Sequence, residues 1–321
     1  MLTLPDFKQK QILFIQNDLD TKSDLKFSND NIILKKDGKI THRASTHKVL
    51  ALYIIGDTTI TTNLIQQCLR HGISLFFLKR NLEYTTSIEA QAEGNYILRH
   101  VQYNQSEEKE LQIAKSLVTN KISNQLALLK NIITKDDLKS IKNQTNASIA
   151  TAKVSKELLG IEGTVSKYFF ALYFKEMGWR RRAPRVKGDI PNFLMDMGYT
   201  YLFNIVDSLL RLYGFDTYKG VYHKLFFQRK SLACDIMEPF RCVIDKAIIK
   251  AYHLGQVIDA DFDMTKDNIT LDWKQNKKYS MIFNEAIMDD KEELYKYIQQ
   301  YYRHLLSPVK YEMPFFKVKT R

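Results

Sequence analysis

The stretch 222–241 concentrates the side chains that could do chemistry. His223 follows a glycine-bearing loop, and Asp235 and Glu238 lie three residues apart on one side of a predicted helix whose other side is apolar. Carboxylate oxygens and one imidazole, surrounded by lysine and arginine, suit a divalent metal that acts on phosphate. The alternative is a solvated helix face with an ordinary loop histidine, because short motifs also match by chance.

A further candidate, Glu162, lies on a predicted apolar helical stripe within the segment 155–178. A carboxylate in that position is unfavourable unless it pairs with a cation or binds a metal. Gly160 and Gly163 flank it and each weakens a helix by roughly 1 kcal/mol, which indicates that the backbone there must stay uncrowded. Two interpretations are open: Glu162 shares a metal with the first stretch, or it pairs with an arginine of residues 180–182.

The composition favours a polyanionic partner. The 321 residues carry 48 Lys and Arg against 36 Asp and Glu, and the net charge of +12 favours nucleic acid, with an anionic membrane as the rival. No apolar run approaches the roughly 20 residues of a spanning helix, and the N-terminal residues lack the apolar core of a signal peptide. Three cysteines without a CxxC pair argue against a disulfide framework and a zinc ribbon. We therefore expect a cytoplasmic protein that makes no membrane contact.

The spacing of apolar residues changes along the chain and divides the predicted secondary structure into two regions. Residues 1–80 read mostly as β, with a hairpin at Asp37 and Gly38 and continuous apolar runs at Val49–Ile55 and 73–78. From residue 96 the apolar positions recur at helical spacing. We predict an α+β two-domain chain: an N-terminal β-rich dimerisation domain at 1–80, a linker at 81–95, and a C-terminal all-α catalytic domain at 96–321.

Three local expectations bear on the site and its surroundings. Pro239 lacks the N–H that would bond the Asp235 carbonyl, so a kink or a new helix start should set Glu238 at a break. Lys121 is assigned to the solvated side of an earlier helix, outside its apolar stripe. Residues 268–273 and 278–283 flank a polar turn and are predicted to form a small hairpin.

Three blocks carry a family resemblance: LLGIEGTVSKYFFALYF, IPNFLMDMGYTYLF and KGVYHKLFFQRKSLACDIMEPFR, in this order. In them the chain resembles the CRISPR-associated spacer-acquisition endonuclease-integrase family, the universal subunit of CRISPR adaptation. The segments ALYIIGDTTITTNLIQQCLRHGISLFFL and EGNYILRHVQY resemble that family's β-domain and the entry to its helical domain. The resemblance therefore covers nearly the whole chain.

This resemblance implies a specific activity and ligand set. The family's ligands for Mg²⁺ or Mn²⁺ fall on Glu162, His223 and Glu238, and Asp235 joins them as a catalytic residue in a supporting role. The implied reaction is metal-dependent cleavage of DNA and insertion of foreign fragments into a CRISPR repeat array by attack of a 3′-hydroxyl. The implied partners are double-stranded DNA, a second copy of the chain and a small ferredoxin-like companion, in a prokaryotic cytoplasm.

Basic and polar side chains around these blocks are the expected DNA contacts. Some come from the basic run 179–187, some from the second block, and some from the loop after His223, where Gln228 stands in place of the family's usual glycine. The expected DNA-binding residues are Arg181, Arg182, Asn192, Tyr199, Lys224, Arg229 and Arg241.

Two other functions are compatible with the same residues. A general metal-dependent DNA repair nuclease would share the site but would not join 3′-hydroxyl ends to repeat-bearing targets. A non-catalytic basic DNA-binding scaffold would share the charge but would bind no metal at the site. Metal binding separates the scaffold from the enzymes, and strand joining separates the integrase from the nuclease.

Overall fold

The computed structural model describes residues 10–16, 22–79, 84–90, 95–183, 188–224, 226–265 and 268–320. Two compact units divide the chain: one consists of Met1–Gln102 with Asp207–Asp216, the other of Tyr103–Val206 with Thr217–Arg321. The first unit contains the two four-stranded β-sheets and the second is mainly helical, so the predicted α+β fold class is confirmed. The first unit continues beyond the predicted boundary and takes in a short later segment.

The first unit contains two four-stranded sheets. In one sheet, β1, β5 and β7 are parallel and β8 is antiparallel to β7; in the other, the order is β4-β3-β2-β6. Every residue of β5 is buried, as its unbroken apolar run predicts. The strands are β1 Gln11–Gln16, β2 Ser23–Ser28, β3 Asn31–Lys36, β4 Lys39–Ser45, β5 Val49–Ile55, β6 Thr59–Ile60, β7 Ser74–Leu78 and β8 Tyr84–Ile88.

Two details of this unit bear on the predictions. Asp37 and Gly38 have φ values of 48° and 77° and join β3 to the antiparallel β4, so the predicted hairpin is confirmed. The stretch 81–95, which we expected to be a linker, contains β8, and that strand pairs with β7. Polar side chains on a half-exposed edge strand look like a linker in sequence, because one face of such a strand needs no apolar residue.

Helices make up most of the second unit. None of the helices within the described residues is long and apolar enough to cross a membrane. In chain order, the helices of the whole protein are α1 Thr62–Arg70, α2 Tyr96–Tyr103, α3 Glu107–Leu128, α4 Lys135–Thr151, α5 Ser155–Tyr173, α6 Ile190–Leu212, α7 Ser231–Met237, α8 Arg241–His253, α9 Trp273–Asp289 and α10 Lys291–Leu306.

The predicted hairpin in the second unit was wrong in position. Strands β9 (Phe262–Thr265) and β10 (Asn268–Leu271) form an antiparallel pair, and residues 278–283 lie inside α9. Helix α9 begins directly after β10 because the Asp272 carboxylate accepts a hydrogen bond from the amide of Gln275 at 3.0 Å, which caps the helix. The C-terminal part is therefore helical with one hairpin, rather than all-α.

Helix α3 is fixed to the turn that follows α7. Asn124 donates to the carbonyl of Pro239 at 3.0 Å and accepts from the amide of Val318 at 3.0 Å. One turn earlier, Asn120 exchanges two hydrogen bonds with the backbone of Phe316, at 2.6 and 2.9 Å. Both asparagines are buried, so these bonds hold α3, the turn and the C-terminal segment in one register.

Candidate active site

Three segments of the second unit bring their charged side chains to one point. Lys121 of α3 places its ammonium 2.5 Å from Oε1 of Glu162 in α5 and 2.6 Å from Oε2 of Glu238. The Lys121 side chain is 11% exposed and that of Glu238 is 6% exposed, so the contacts are shielded from water. One buried cation therefore links the two acids that the sequence singled out.

The partner of Glu162 differs from the one expected. The pairing alternative named an arginine of residues 180–182, whereas the cation is Lys121, which we assigned to the solvated side of its helix. Lys121 follows Leu117 by four residues and Ala114 by seven, and both are fully buried, so it shares their helical face. That spacing was the signal available in the sequence. Ser166 completes the environment by donating to Glu162 at 2.7 Å.

The glycines beside Glu162 do not have the role expected of them. A Cβ added to Gly160 or Gly163 would meet no atom within 4 Å, so crowding of the backbone does not require them. Both lie on the exposed side of α5. The structure gives no physical reason for glycine at these two positions.

A second cation completes the charge balance around Glu238. Arg241 places Nη2 3.0 Å from Oε1 of this carboxylate. Burial alone would raise the pKa of Glu238, but Arg241, Lys121 and His223 outweigh it and hold that pKa well below its usual range. The two acids raise the pKa of Lys121 in turn, against the effect of its burial. Glu238 and Lys121 are therefore both charged at neutral pH.

Glu238 lies at a break between helices, as Pro239 predicts. Helix α7 ends at Met237, a single 3₁₀ turn spans Glu238–Phe240, and α8 begins at Arg241. Because proline has no N–H, the helical bonding of α7 cannot continue through this turn. The break directs Glu238 towards Lys121, and the Asn124 bond to Pro239 fixes the turn against α3.

Asp235 organises the loop that carries His223. Its fully buried carboxylate accepts hydrogen bonds from the amides of Val221, Tyr222 and His223, at 2.7, 3.0 and 2.9 Å. It also contacts Nδ1 of the His223 ring at 2.7 Å. Since the carboxylate already accepts three amide protons, Nδ1 is the donor, and Nε2 is the ring nitrogen that could bind a ligand.

Gly220 allows the loop to pack closely against the Asp235 carboxylate. A Cβ at this position would lie 2.7 Å from Oδ2 of Asp235 and 2.7 Å from Cβ of Ser231. Neither neighbour can move, because both are fully buried. Glycine is therefore required at position 220 for a steric reason. The loop places His223 beside the acid rather than in open solvent.

The predicted ligands do not form a compact triad. Within the parts of the chain that the structure describes, no group of three or more His, Cys, Asp or Glu side chains lies close enough to hold a metal ion. Two acids meet at Lys121, and His223 is held by a third acid, Asp235. The structure thus brings the expected residues into one region, with an ammonium between two of them.

The expected DNA contacts divide into surface and internal residues. Arg181, Lys224 and Arg229 are exposed, so a phosphate can reach them. Arg241 binds Glu238 instead, and its guanidinium lies 4.5 Å from the centre of the Tyr199 ring. Tyr199 is 6% exposed. In the structure, Arg241 binds Glu238 and Tyr199 binds Asp245, and a contact of either residue with DNA stays a prediction.

Arg182 and Asn192 also bind groups within the protein. Arg182 pairs with Asp196 at 2.5 Å and donates to the Asn192 amide oxygen at 2.9 Å. Asn192 is fully buried and donates to the backbone carbonyl of Arg181 at 2.8 Å. These bonds fix the first part of the basic run against α6, and a contact of either residue with DNA stays a prediction. Residues 184–187 of that run lie outside the described part of the chain.

The pH dependence of stability should report on Asp245, which accepts a hydrogen bond from the Tyr199 hydroxyl at 2.5 Å. Burial raises the pKa of this carboxyl from its usual 3.8 to about 7, although the Tyr199 bond and Arg241 lower it. A carboxyl whose pKa is higher in the folded state binds its proton more tightly there, so its contribution to stability falls as the pH rises from about 4 to about 7.

We therefore expect Asp245→Asn to gain stability relative to the wild type as the pH rises from 5 to 7, by about 1 kcal/mol for each pH unit. Urea unfolding of both proteins at pH 5, 6, 7 and 8 measures this difference. A difference that is the same at all four pH values would show that Asp245 does not titrate in this range.

Comparisons with known proteins identify the family of this chain. The family described as CRISPR associated protein Cas1 matches residues 19–285. The CRISPR-associated endonuclease Cas1 1 of Thermodesulfovibrio yellowstonii is 28% identical over 292 residues, which cover 85% of this chain and 90% of the relative. A chain of a solved Cas6-RT-Cas1–Cas2 complex is 26% identical with a TM-score of 0.75, over 97% of this chain and 36% of its own length.

A likeness of fold alone extends further. A solved casposase bound to an integration product has a TM-score of 0.76 at 19% identity, over 97% of this chain and 94% of its own. The family match spans both units of the chain, including every segment that carries the site. This chain therefore belongs to the family of the CRISPR associated protein Cas1.

Proposed function

We propose that this chain is a metal-dependent DNA endonuclease and integrase of CRISPR adaptation, which joins foreign DNA fragments to a repeat array by attack of a 3′-hydroxyl. One observation carries the proposal: Glu162 and Glu238, from separate segments, converge on one cation, and His223 is near enough to Glu238 to lower the pKa of that carboxyl. The family assignment and the endonuclease name of the Thermodesulfovibrio yellowstonii relative support it.

The residues present fit a divalent metal by the chemistry of their donors. Glu162 and Glu238 both form an ion pair with the Lys121 ammonium, so an oxygen of each carboxylate already faces a cation. Once His223 moves within reach, its Nε2 nitrogen would complete with them the oxygen-rich set, with one imidazole, that Mg²⁺ or Mn²⁺ accepts. A metal held there would supply Lewis-acid activation of a phosphate and of the attacking hydroxyl.

The other residues of the site position and balance these donors. Asp235 fixes the orientation of His223 through Nδ1, and Arg241 holds one oxygen of Glu238 while leaving the other to a second cation. Lys121 contacts the same carboxylates as the proposed metal, so metal binding requires its ammonium to share them or to move away. The exposed Lys224 and Arg229 are then available to bind the DNA backbone, where each neutralised phosphate makes the affinity more dependent on salt.

The proposed partners follow from the family and from one structural relative. Cas2 is a named component of the solved Cas6-RT-Cas1–Cas2 complex, and we propose that this chain likewise assembles with a small ferredoxin-like companion. We also propose a homodimer formed through the β-rich unit, and double-stranded DNA as the substrate, in a prokaryotic cytoplasm. The net charge of +12 is consistent with the DNA substrate.

A strand-transfer assay tests the proposed function. The purified chain, with and without the companion, is mixed with a labelled duplex bearing free 3′-hydroxyls and a supercoiled plasmid that carries a repeat array. We expect label to join the plasmid at repeat borders only when Mg²⁺ or Mn²⁺ is present. Cutting without joining would favour the repair nuclease, and binding with neither reaction would favour the scaffold.

Asp235→Asn tests whether this carboxylate acts through His223. The amide group can accept fewer of the four hydrogen bonds that Asp235 now takes part in, so the His223 ring should lose its fixed orientation. We expect metal affinity to fall about 10- to 100-fold, the usual effect of removing an outer-shell partner. Titration calorimetry with Mn²⁺ measures this loss, and unchanged metal affinity would limit Asp235 to a structural role.

A further inference from the structure

Tyr222 carries a buried hydroxyl that lacks a hydrogen-bond partner. The residue is 2% exposed, and its hydroxyl bonds to no other group in the described parts of the chain. Buried polar groups are nearly always hydrogen-bonded, because an unpaired one loses its bonds to water without compensation. An unpaired hydroxyl of this kind is therefore a candidate contact for a ligand.

The acids of the candidate site lie around this hydroxyl. Burial raises the pKa of the Tyr222 hydroxyl. The nearby charges of Glu162, Glu238 and Asp235 raise that pKa further. The Tyr297 hydroxyl is also buried and unpaired among the described residues, but its pKa is raised by burial alone. Of these two hydroxyls, the one that adjoins the acids is that of Tyr222.

The ring that carries the hydroxyl is held by the same loop as His223. The backbone amide of Tyr222 donates to Oδ2 of Asp235 at 3.0 Å. The tyrosine ring meets the His223 ring edge to face, and the two ring centres are 4.9 Å apart. Because the side chain is buried between these contacts, the hydroxyl stays inside the protein instead of reaching solvent.

The carboxylate oxygens near the Tyr222 hydroxyl already bind cations. Oε1 of Glu162 and Oε2 of Glu238 accept hydrogen bonds from the Lys121 ammonium. Oε1 of Glu238 binds Arg241 at 3.0 Å. The two acids are thus paired without the tyrosine, although their charges act on it. A ligand that binds between the acids and the hydroxyl would supply the acceptor.

A divalent metal on these acids would bring such an acceptor with it. Proteins bind Mg²⁺ through one or two carboxylates, and waters or substrate phosphates complete its octahedral coordination. The proposed ligands Glu162, Glu238 and His223 leave positions that those oxygens would fill. A tyrosine hydroxyl can donate to either kind of oxygen. Hydrogen bonds of this kind, one step outside the ligands, raise the affinity of metal sites.

We propose that Tyr222 is a positioning residue of the metal site, whose hydroxyl forms a hydrogen bond with an oxygen ligand of the metal, water or phosphate, beside Glu162 and Glu238. This inference rests on the proposed function and adds to it a residue outside the ligand set. The hydroxyl lowers the stability of the metal-free chain and raises the affinity of the site, because its hydrogen bond forms only when the ligand is bound.

Calorimetric titration of the full chain with Mn²⁺ tests this role in Tyr222→Phe, which removes only the hydroxyl. We expect the variant to bind Mn²⁺ about 10-fold or more weakly than the wild type, as on loss of an outer-shell partner. Without metal, its thermal midpoint should equal that of the wild type or exceed it by up to roughly 4 °C, because an unpaired buried hydroxyl is gone. A tyrosine with only a structural role would leave the metal affinity unchanged.

The matched control is Tyr297→Phe, which removes another buried, unpaired hydroxyl from a residue that is 3% exposed. Its Mn²⁺ affinity should equal that of the wild type. A second titration, with saturating duplex whose 3′ ends lack the hydroxyl so that no strand can join, identifies the oxygen. A loss for Tyr222→Phe in both titrations assigns the oxygen to water, and a loss only with DNA assigns it to a phosphate.

Two outcomes would overturn the inference. One is equal Mn²⁺ affinity of Tyr222→Phe and Tyr297→Phe in both titrations. The other is a metal-free Tyr222→Phe protein that melts below the wild type, since its hydroxyl would then have a partner within the protein. Strand transfer by the wild type, measured in parallel, keeps the proposed function separate. A wild type that joins DNA while the two variants titrate alike overturns only the role of Tyr222, whereas a wild type that binds no Mn²⁺ in either titration overturns both.

Discussion

Glu238→Gln should lose DNA cleavage and strand transfer by more than about 100-fold, which exceeds the 10- to 100-fold effect typical of outer-shell partners of a metal. The carboxylate lies between two cations, with one oxygen 3.0 Å from Arg241 and the other 2.6 Å from Lys121. The amide keeps the size of the side chain but removes the negative charge that a metal requires. We expect Glu162→Gln to behave in the same way, because Glu162 contacts the same ammonium.

The control for this pair is Glu176→Gln, since the Glu176 side chain is 70% exposed and pairs with His253 at the surface. Gel-based joining assays give the rates, and anisotropy with labelled duplex gives the affinity for DNA. DNA affinity should stay within about threefold of the wild type, because exposed cations supply most of it. A Glu238→Gln protein that joins DNA at the rate of the control would rule out this carboxylate as a metal ligand.

Lys121→Met should reduce the free energy of unfolding by about 3–5 kcal/mol, the usual effect of removing one partner of a buried ion pair. Without the ammonium, the carboxylates of Glu162 and Glu238 lose the buried cation that they share, and Arg241 and His223 remain near Glu238. For a unit of this size the change corresponds to a fall in thermal midpoint of roughly 10 °C. Mn²⁺ should raise the midpoint of the variant more than that of the wild type, because the metal and the ammonium compete for the same carboxylates.

The matched control is Lys130→Met, which changes an exposed lysine just beyond the end of α3 and should melt as the wild type does. Differential scanning calorimetry with and without Mn²⁺ measures both effects. If Lys121→Met has the same thermal midpoint as the wild type in the absence of metal, the buried ammonium does not stabilise the site. If metal stabilises the variant less than the wild type, Lys121 orients the acids for the metal rather than competing with it.

Local features of the fold could be predicted because interactions between residues close in sequence determine them. Asp37 and Gly38 favour a tight hairpin turn, and the apolar run of β5 has no stable place outside a core. Pro239 ends α7 whatever surrounds it, so the position of Glu238 at a break followed from the sequence. The unfavourable burial of Glu162 likewise predicted a cationic partner or a metal, but the arginine of residues 180–182 named for the pair was wrong, because the cation is Lys121.

Contacts between distant segments could not be predicted in the same way. Lys121 is 41 residues from Glu162 and 117 from Glu238 along the chain, and no local pattern relates them. Charge alone also did not indicate which cations pair with an acid inside the protein. Arg182 binds Asp196 and Arg241 binds Glu238, and both guanidinium groups lie near the ring of Tyr199.

Anomalous diffraction from crystals soaked in Mn²⁺ tests the central claim most directly, because it locates the metal without relying on activity. We predict one strong peak within bonding distance of Glu162, Glu238 and Nε2 of His223, with the Lys121 ammonium displaced from at least one carboxylate. Glu238→Gln crystals should lack the peak. A peak elsewhere would contradict the proposed site. So would a Lys121 that still binds both acids in the soaked crystals, if the same protein joins DNA with Mn²⁺.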